Sequence, residues 1–183
     1  MSASDEIVQE LCGLVGWLLA HQAGITAEGE LAAPRALFTS NEKPEGAQLL
    51  VFNSESYQSA VEEGRVVMRN QCRQFRCWAL GFDVNLRSPT DGSKTGDALW
   101  VEAGAKGLEH SIAFVQRYAP KTESSNFHLV GKVELTQPSN WSPTVRQTME
   151  SVDWYEFLGN GARSHPLAGE VWDQWEEEAH EAP

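Results

Sequence analysis

The side chains able to do chemistry in this chain gather between Cys77 and Tyr118. They are the carboxylates Asp83, Asp97, Glu102 and Glu109, the Cys77 thiol and His110, with His128 a little beyond. Paired carboxylates could serve as acid and base, and a cysteine within reach of a histidine could serve as a nucleophile. The spacing completes neither set. Cys77 opens a strand next to Trp78, where a free cysteine is expected to be buried and inert. No GxSxG turn is present. The histidines, His21, His110, His128, His165 and His180, form no HxH or HExxH pair and no Cys–His metal spacing, so no metal is expected. GxGxxG and GxxxxGK(S/T) are both missing. DGSKTGD at 91–97 joins two strands without a following helix and reads as a hairpin loop. No cofactor is expected.

Alternation positions these residues. Trp78, Leu80, Phe82, Val84 and Leu86 take every second place in CWALGFDVNLR and share one strand face, leaving Cys77, Ala79, Gly81, Asp83 and Asn85 on the other. With Ala105–Lys106 as the tip of the next turn, Ala103 meets Leu108, Val101 meets His110, Leu99 meets Ile112 and Asp97 meets Phe114. That second, mostly apolar row is expected to continue the first. The same register sets Glu102 against Glu109. Relief of that repulsion would come from solvent, the default near a turn, from Arg117 or Lys106, or from a shared ligand. The opposite face combines small residues (Ala79, Gly81, Ala98, Ser111, Ala113) with the candidate binding residues Asp83, Asn85, Trp100, Glu102 and Arg117. Close packing of the N-terminal helix accounts for the small residues. With that helix on the other face, they would instead floor a groove anchored by Trp100.

The remaining elements follow in order. Ile7, Val8, Leu11, Leu14, Val15, Leu18 and Leu19 keep the spacing of a helix over 4–22, with Gly24 as its stop and Gly13 and Gly16 as points of close approach. Residues 25–34 read as a loop, 36–40 and 48–52 as a hairpin, and 53–70 as a second helix capped by Asn53 or Ser54. After the meander and a strand over 127–135, Ser142–Pro143 starts a helix, and the glycine-rich GNGARSHP ends it. An acidic helical tail, about 167–183, carries Trp172 and Trp175 among Glu170, Asp173, Glu176, Glu177 and Glu178. Those tryptophans either dock on their own domain or offer an interaction helix, and they complete the candidate binding set. The expectation is one α+β domain over 1–183: an antiparallel meander of about four to six strands packed with an N-terminal amphipathic helix and C-terminal helices.

A chain of 183 residues, 41% of them apolar, builds a core without disulfide or metal. Its net charge of −12 repels nucleic acid and anionic membranes and favours a basic protein or peptide as partner. Three cysteines without CxxC spacing fit a reducing compartment. Asp5 and Glu6 stand where a secretory signal would be basic, and the apolar run from Leu11 to Ala20 is too short to span a bilayer. A cytoplasmic protein is expected. The order helix, hairpin, helix, meander, helices is similar to that of secretion chaperones and some toxin-neutralising immunity proteins, a likeness of element order with no motif behind it. The leading expectation is a non-catalytic protein-binding module with an acidic surface for a basic partner. The alternative is an enzyme processing a small molecule in a carboxylate/His pocket over the meander, using Asp83, Glu102 or His128.

Overall fold

The three- and four-residue spacing of apolar side chains produces α1 (Ala3–Ala27) in the computed structural model, which describes residues 3–41, 46–108, 110–136 and 143–181. The helix passes through Gly24, its expected stop. It ends instead before Gly29, which has a left-handed φ of 89° and whose N–H reaches the Thr26 carbonyl at 2.9 Å. Gly24 sits inside the helix because Ala168 packs there, in ordinary contact with where a Cβ would lie.

β1 (Arg35–Ser40) and β2 (Gln48–Val51) form the expected hairpin. α2 (Tyr57–Gln71) starts slightly later than expected because Ser56 is its cap, accepting the Ser59 N–H at 3.1 Å. β3 (Phe75–Arg87), β4 (Lys94–Ala105), β5 (Ile112–Ala119) and β6 (His128–Thr136) complete one antiparallel sheet in the order β2-β1-β3-β4-β5-β6. DGSKTGD forms the end of the β3–β4 turn and the start of β4, as its composition implies. α3 (Pro143–Glu150), α4 (Trp154–Arg163) and α5 (Gly169–Glu181) follow. The expected cap Ser142 lies outside the described residues. The fold is therefore the α+β antiparallel meander with flanking helices that the patterning implies.

Two expectations about local structure are corrected. GNGARSHP ends a helix, but at Arg163 and not at its glycines: α4 runs through Gly159 and Gly161, and the single helix expected up to Leu158 is the two helices α3 and α4. Those glycines serve packing: a Cβ on Gly161 would lie 2.1 Å from the Gly13 carbonyl oxygen, and one on Gly16 only 1.8 Å from that of Leu158. The α1–α4 crossing is thus backbone against backbone, the close approach that Gly13 and Gly16 signal. The second correction concerns register. β4 pairs Val101 with Phe114 and Ala103 with Ile112, four residues along from the expected partners. The turn is longer than a tight hairpin, with Gly107 at φ 94°. An even slip preserves faces, so the parity of every side chain survives.

The β3–β4 register decides which rows join. Ala79 pairs with Ala103, Gly81 with Val101 and Asp83 with Leu99, while Leu80 pairs with Glu102 and Phe82 with Trp100. The row Leu99–Val101–Ala103 therefore continues the small-residue row of β3, not the Trp78–Leu86 row as expected. One sheet face, with Leu37, Ala79, Val101, Phe114 and Leu129, is covered by α1, α4 and α5. The other, with Phe38, Leu80 and Phe82, is met by α2.

Candidate functional site

α2 is amphipathic but short, and it leaves part of its sheet face uncovered. Between its C-terminal half and the ends of β3 and β4 lies a hollow of about 500 Å³. Trp78, Leu80 and Gly104 form its floor; Arg65, Met68, Arg69, Cys72 and Arg73 form one wall; Lys106, Leu108 and His110 border the other. Arg65, Arg69 and Arg73 are four residues apart, so α2 and the 3-10 turn that follows it (Cys72–Gln74) bring them to the same side.

The four cations are not equivalent. Arg65 lies over the Phe82 ring and is bound on both sides, to Glu62 at 2.8 Å and to Glu102 at 2.6 Å. The Glu102 hydrogen bonds are the main reason its pKa is pushed up. Glu102, expected to be relieved by solvent or by Arg117 or Lys106, is relieved by Arg65 from another element; across the ladder it faces Ala113. Glu109 lies outside the described residues. Arg69, Arg73 and Lys106 have no acidic partner among the described residues. The hollow thus holds three positive charges with no acidic partner among the described residues, within a chain of net charge −12.

The predicted binding face splits across the sheet. Trp100, Glu102 and Arg117 lie on the α2 side, Asp83 and Asn85 on the α1 side. Trp100 packs beside the α2-side core with its indole N–H buried and unpartnered, and Arg117 is exposed opposite Ala98. Small residues at Ala79 and Gly81 admit α1, since a Cβ on Gly81 would lie 2.4 Å from the Gln22 side chain. Asn85 is exposed opposite Asp97, whose carboxylate holds Lys94 at 2.7 Å.

Asp83 sits where β1 has ended, and its backbone N–H is taken by the Tyr57 hydroxyl at 2.5 Å in place of a strand partner. Its carboxylate accepts the Tyr118 hydroxyl at 2.7 Å. Burial outweighs that hydrogen bond and raises the Asp83 pKa to about 6. On the same side of the sheet His165 Nδ1 accepts the Leu167 and Ala168 N–H groups, its Nε2 lies 2.9 Å from His21 Nδ1, and the Arg35 guanidinium donates to His21 Nε2. Burial, then Arg35, then His165 lower the His21 pKa to about 4. Both histidines pack around Trp17.

The thiol and tail readings resolve similarly. Cys77 is fully buried under α1 with Sγ directed at the Ile7 carbonyl; burial drives its pKa far up. Neither His110, exposed beside the hollow, nor His128, whose Nδ1 lies near the Asn126 carbonyl, is joined to it by a hydrogen bond. Trp172 is completely buried in the core, and Trp175 packs edge-on against Phe127. These two side chains hold α5 to the domain while its acids face outward or pair with Arg163. No group of three or more metal-ligating side chains and no helix long and apolar enough to cross a membrane occurs among the described residues.

Sequence reasoning missed the cationic hollow. Its signal was present: arginines at 65, 69 and 73 fall at i, i+4 and i+8 along a helix whose apolar set is thin. Lys106 could not be added without the register. Comparison with known proteins finds no matching family model, no similar curated protein and no similar solved structure.

Proposed function

We propose that this chain is a non-catalytic binding module whose ligand is a small anion seated in the cationic hollow. The observation that carries the reading is the convergence of Arg69, Arg73 and Lys106, none with an acidic partner among the described residues, on a concave site of about 500 Å³. A bland account exists for two of them: arginines at the end of α2 complement the helix dipole. It does not reach Lys106, which comes from the β4–β5 turn. Hollows of this volume suit small ligands, and convergent cations supply the field that would gather an anion. Binding is favoured over processing because Glu102, the carboxylate in the hollow, is already committed to Arg65.

Cys72 supplies the test, being the exposed cysteine while Cys12 and Cys77 are buried. Inorganic pyrophosphate is expected to slow alkylation of Cys72 saturably and to raise the melting temperature. The double variant Arg69→Ala/Arg73→Ala is expected to lose both effects. Wild-type protein that shows neither would remove the reading. A second reading, an acidic surface for a basic protein or peptide, draws support from the same segregation of charge. With four cations in the hollow, the remaining surface is more acidic than the net charge suggests. Retention of a basic protein at low salt and its release at high salt would test that reading. The three free cysteines also suit the reducing cytoplasm, where we place the protein.

A further inference from the structure

The floor of the hollow narrows the ligand class. Trp78 pairs across the ladder with Gly104, and a Cβ on Gly104 would lie 2.7 Å from three atoms of the indole. The ring therefore lies directly on the glycine backbone, partly buried, with its outward side bordering the hollow. Covering a strand glycine with an aromatic ring is itself a stabilising device, which explains the pairing but not the cations beside it. An aromatic surface next to Arg69, Arg73 and Lys106 offers stacking and charge neutralisation together. Three cations with no acidic partner among the described residues match a dianion better than a single carboxylate, and arginine forks fit phosphate oxygens in pairs.

We infer that the ligand is a small aromatic phosphate, its ring stacked on Trp78 and its phosphate held by Arg69, Arg73 and Lys106. This rests on the anion-binding reading above and adds the ring and the phosphate to it. Methyl phosphate and phenyl phosphate carry the same charged group and differ in the ring, so they separate the two claims. Phenyl phosphate should bind intact protein about tenfold more tightly, as one stacked ring predicts. In Trp78→Leu the advantage of phenyl over methyl phosphate should vanish, and Trp78→Phe should restore part of it. Should the leucine variant fail to fold, the indole N–H resonance of Trp78 in intact protein gives the same answer. Phenyl phosphate must move it by a ring-current shift that methyl phosphate does not produce. Equal binding of the two probes to the intact protein would overturn the aromatic inference and leave anion binding standing. Binding of neither would overturn both. Adenosine monophosphate and phosphotyrosine, as separate arms, distinguish a nucleotide from a phosphorylated phenol as the source of the ring.

Discussion

The two faces of the sheet are closed in different ways. On the α1 side, three helices meet the sheet, glycines at 16 and 161 bring backbones together, and Trp172 is fully enclosed. On the α2 side, one 15-residue helix covers Phe38, Leu80 and Phe82 and stops, leaving Trp78 only partly buried and a row of arginines beside it. The first face spends its side chains on packing density, where any added atom meets backbone. The second keeps charges at a cleft edge, where their hydration costs little and their field reaches solvent. Dense packing and open, charged surface thereby fall on opposite sides of one layer.

Truncations should show this difference most strongly. Trp172→Ala should cost about 4 kcal/mol, the usual loss for a buried tryptophan. Trp78→Ala, from a partly buried position, should cost less, about 2 kcal/mol. Urea midpoints for the two variants check this, and equal losses would mean that the α2 side is as tightly closed as the α1 side.

Next in size is a contrast within α1. Gly16→Ala places a methyl 1.8 Å from the Leu158 carbonyl oxygen and should cost about 3 kcal/mol as the helices separate. Gly13→Ala meets nothing within 4 Å and should be neutral or stabilising by up to about 1 kcal/mol through helix propensity. Similar effects for both, read by thermal unfolding, would contradict a crossing centred on residue 16.

Legibility in the sequence follows the same division. Period-2 alternation around Trp78 and Val101 and helical spacing in α1 identify an antiparallel meander with an N-terminal helix, because burial imposes those periods directly. Register is set by turn length, and the run Lys106–Ser111 gives no two-residue hairpin signal, so the partner of Glu102 was not recoverable. Gly159 and Gly161 read as breakers because their real constraint, the Gly13–Gly16 segment of α1, is remote in sequence. The candidate site failed for a related reason: its members come from α2, β3 and the β4–β5 turn. Only their assembly makes three arginines more than a solvated stripe.

A pH series separates two opposing groups on the α1 side. Asp83 has a folded-state pKa of about 6 against an ordinary 3.8, so the native state holds its proton more tightly. Its contribution therefore increases stability as pH falls through that window. His21, lowered from 6.5 to about 4, does the reverse: the unfolded chain takes the proton first, so stability falls on acidification. The two oppose each other between about pH 4 and 6. Asp83→Asn, which keeps an acceptor for the Tyr118 hydroxyl, should make acid destabilisation steeper than in the wild type. His21→Asn should make it shallower. Chemical unfolding at each end of the window checks both signs, and a matching response from the two variants would reject this assignment.

The smallest expected effect lies in the hollow, where stability and binding should move in opposite directions. Arg65 and Glu102 are both half-buried and meet at 2.6 Å. A double-mutant cycle with Arg65→Ala and Glu102→Gln should give a coupling of about 1 kcal/mol. Glu102→Gln alone should lower stability by a similar amount, about 1 kcal/mol, because Arg65 loses its charged acceptor. The same change leaves Arg65 answering only to Glu62 and raises the positive potential of the hollow. Methyl phosphate should then bind roughly threefold more tightly, the equivalent of a weak exposed ion pair. Tighter binding by a less stable protein separates the site from the scaffold. Weaker binding would mean that Glu102 orients Arg65 toward the ligand, and the ion pair would belong to the site rather than to the α2 packing.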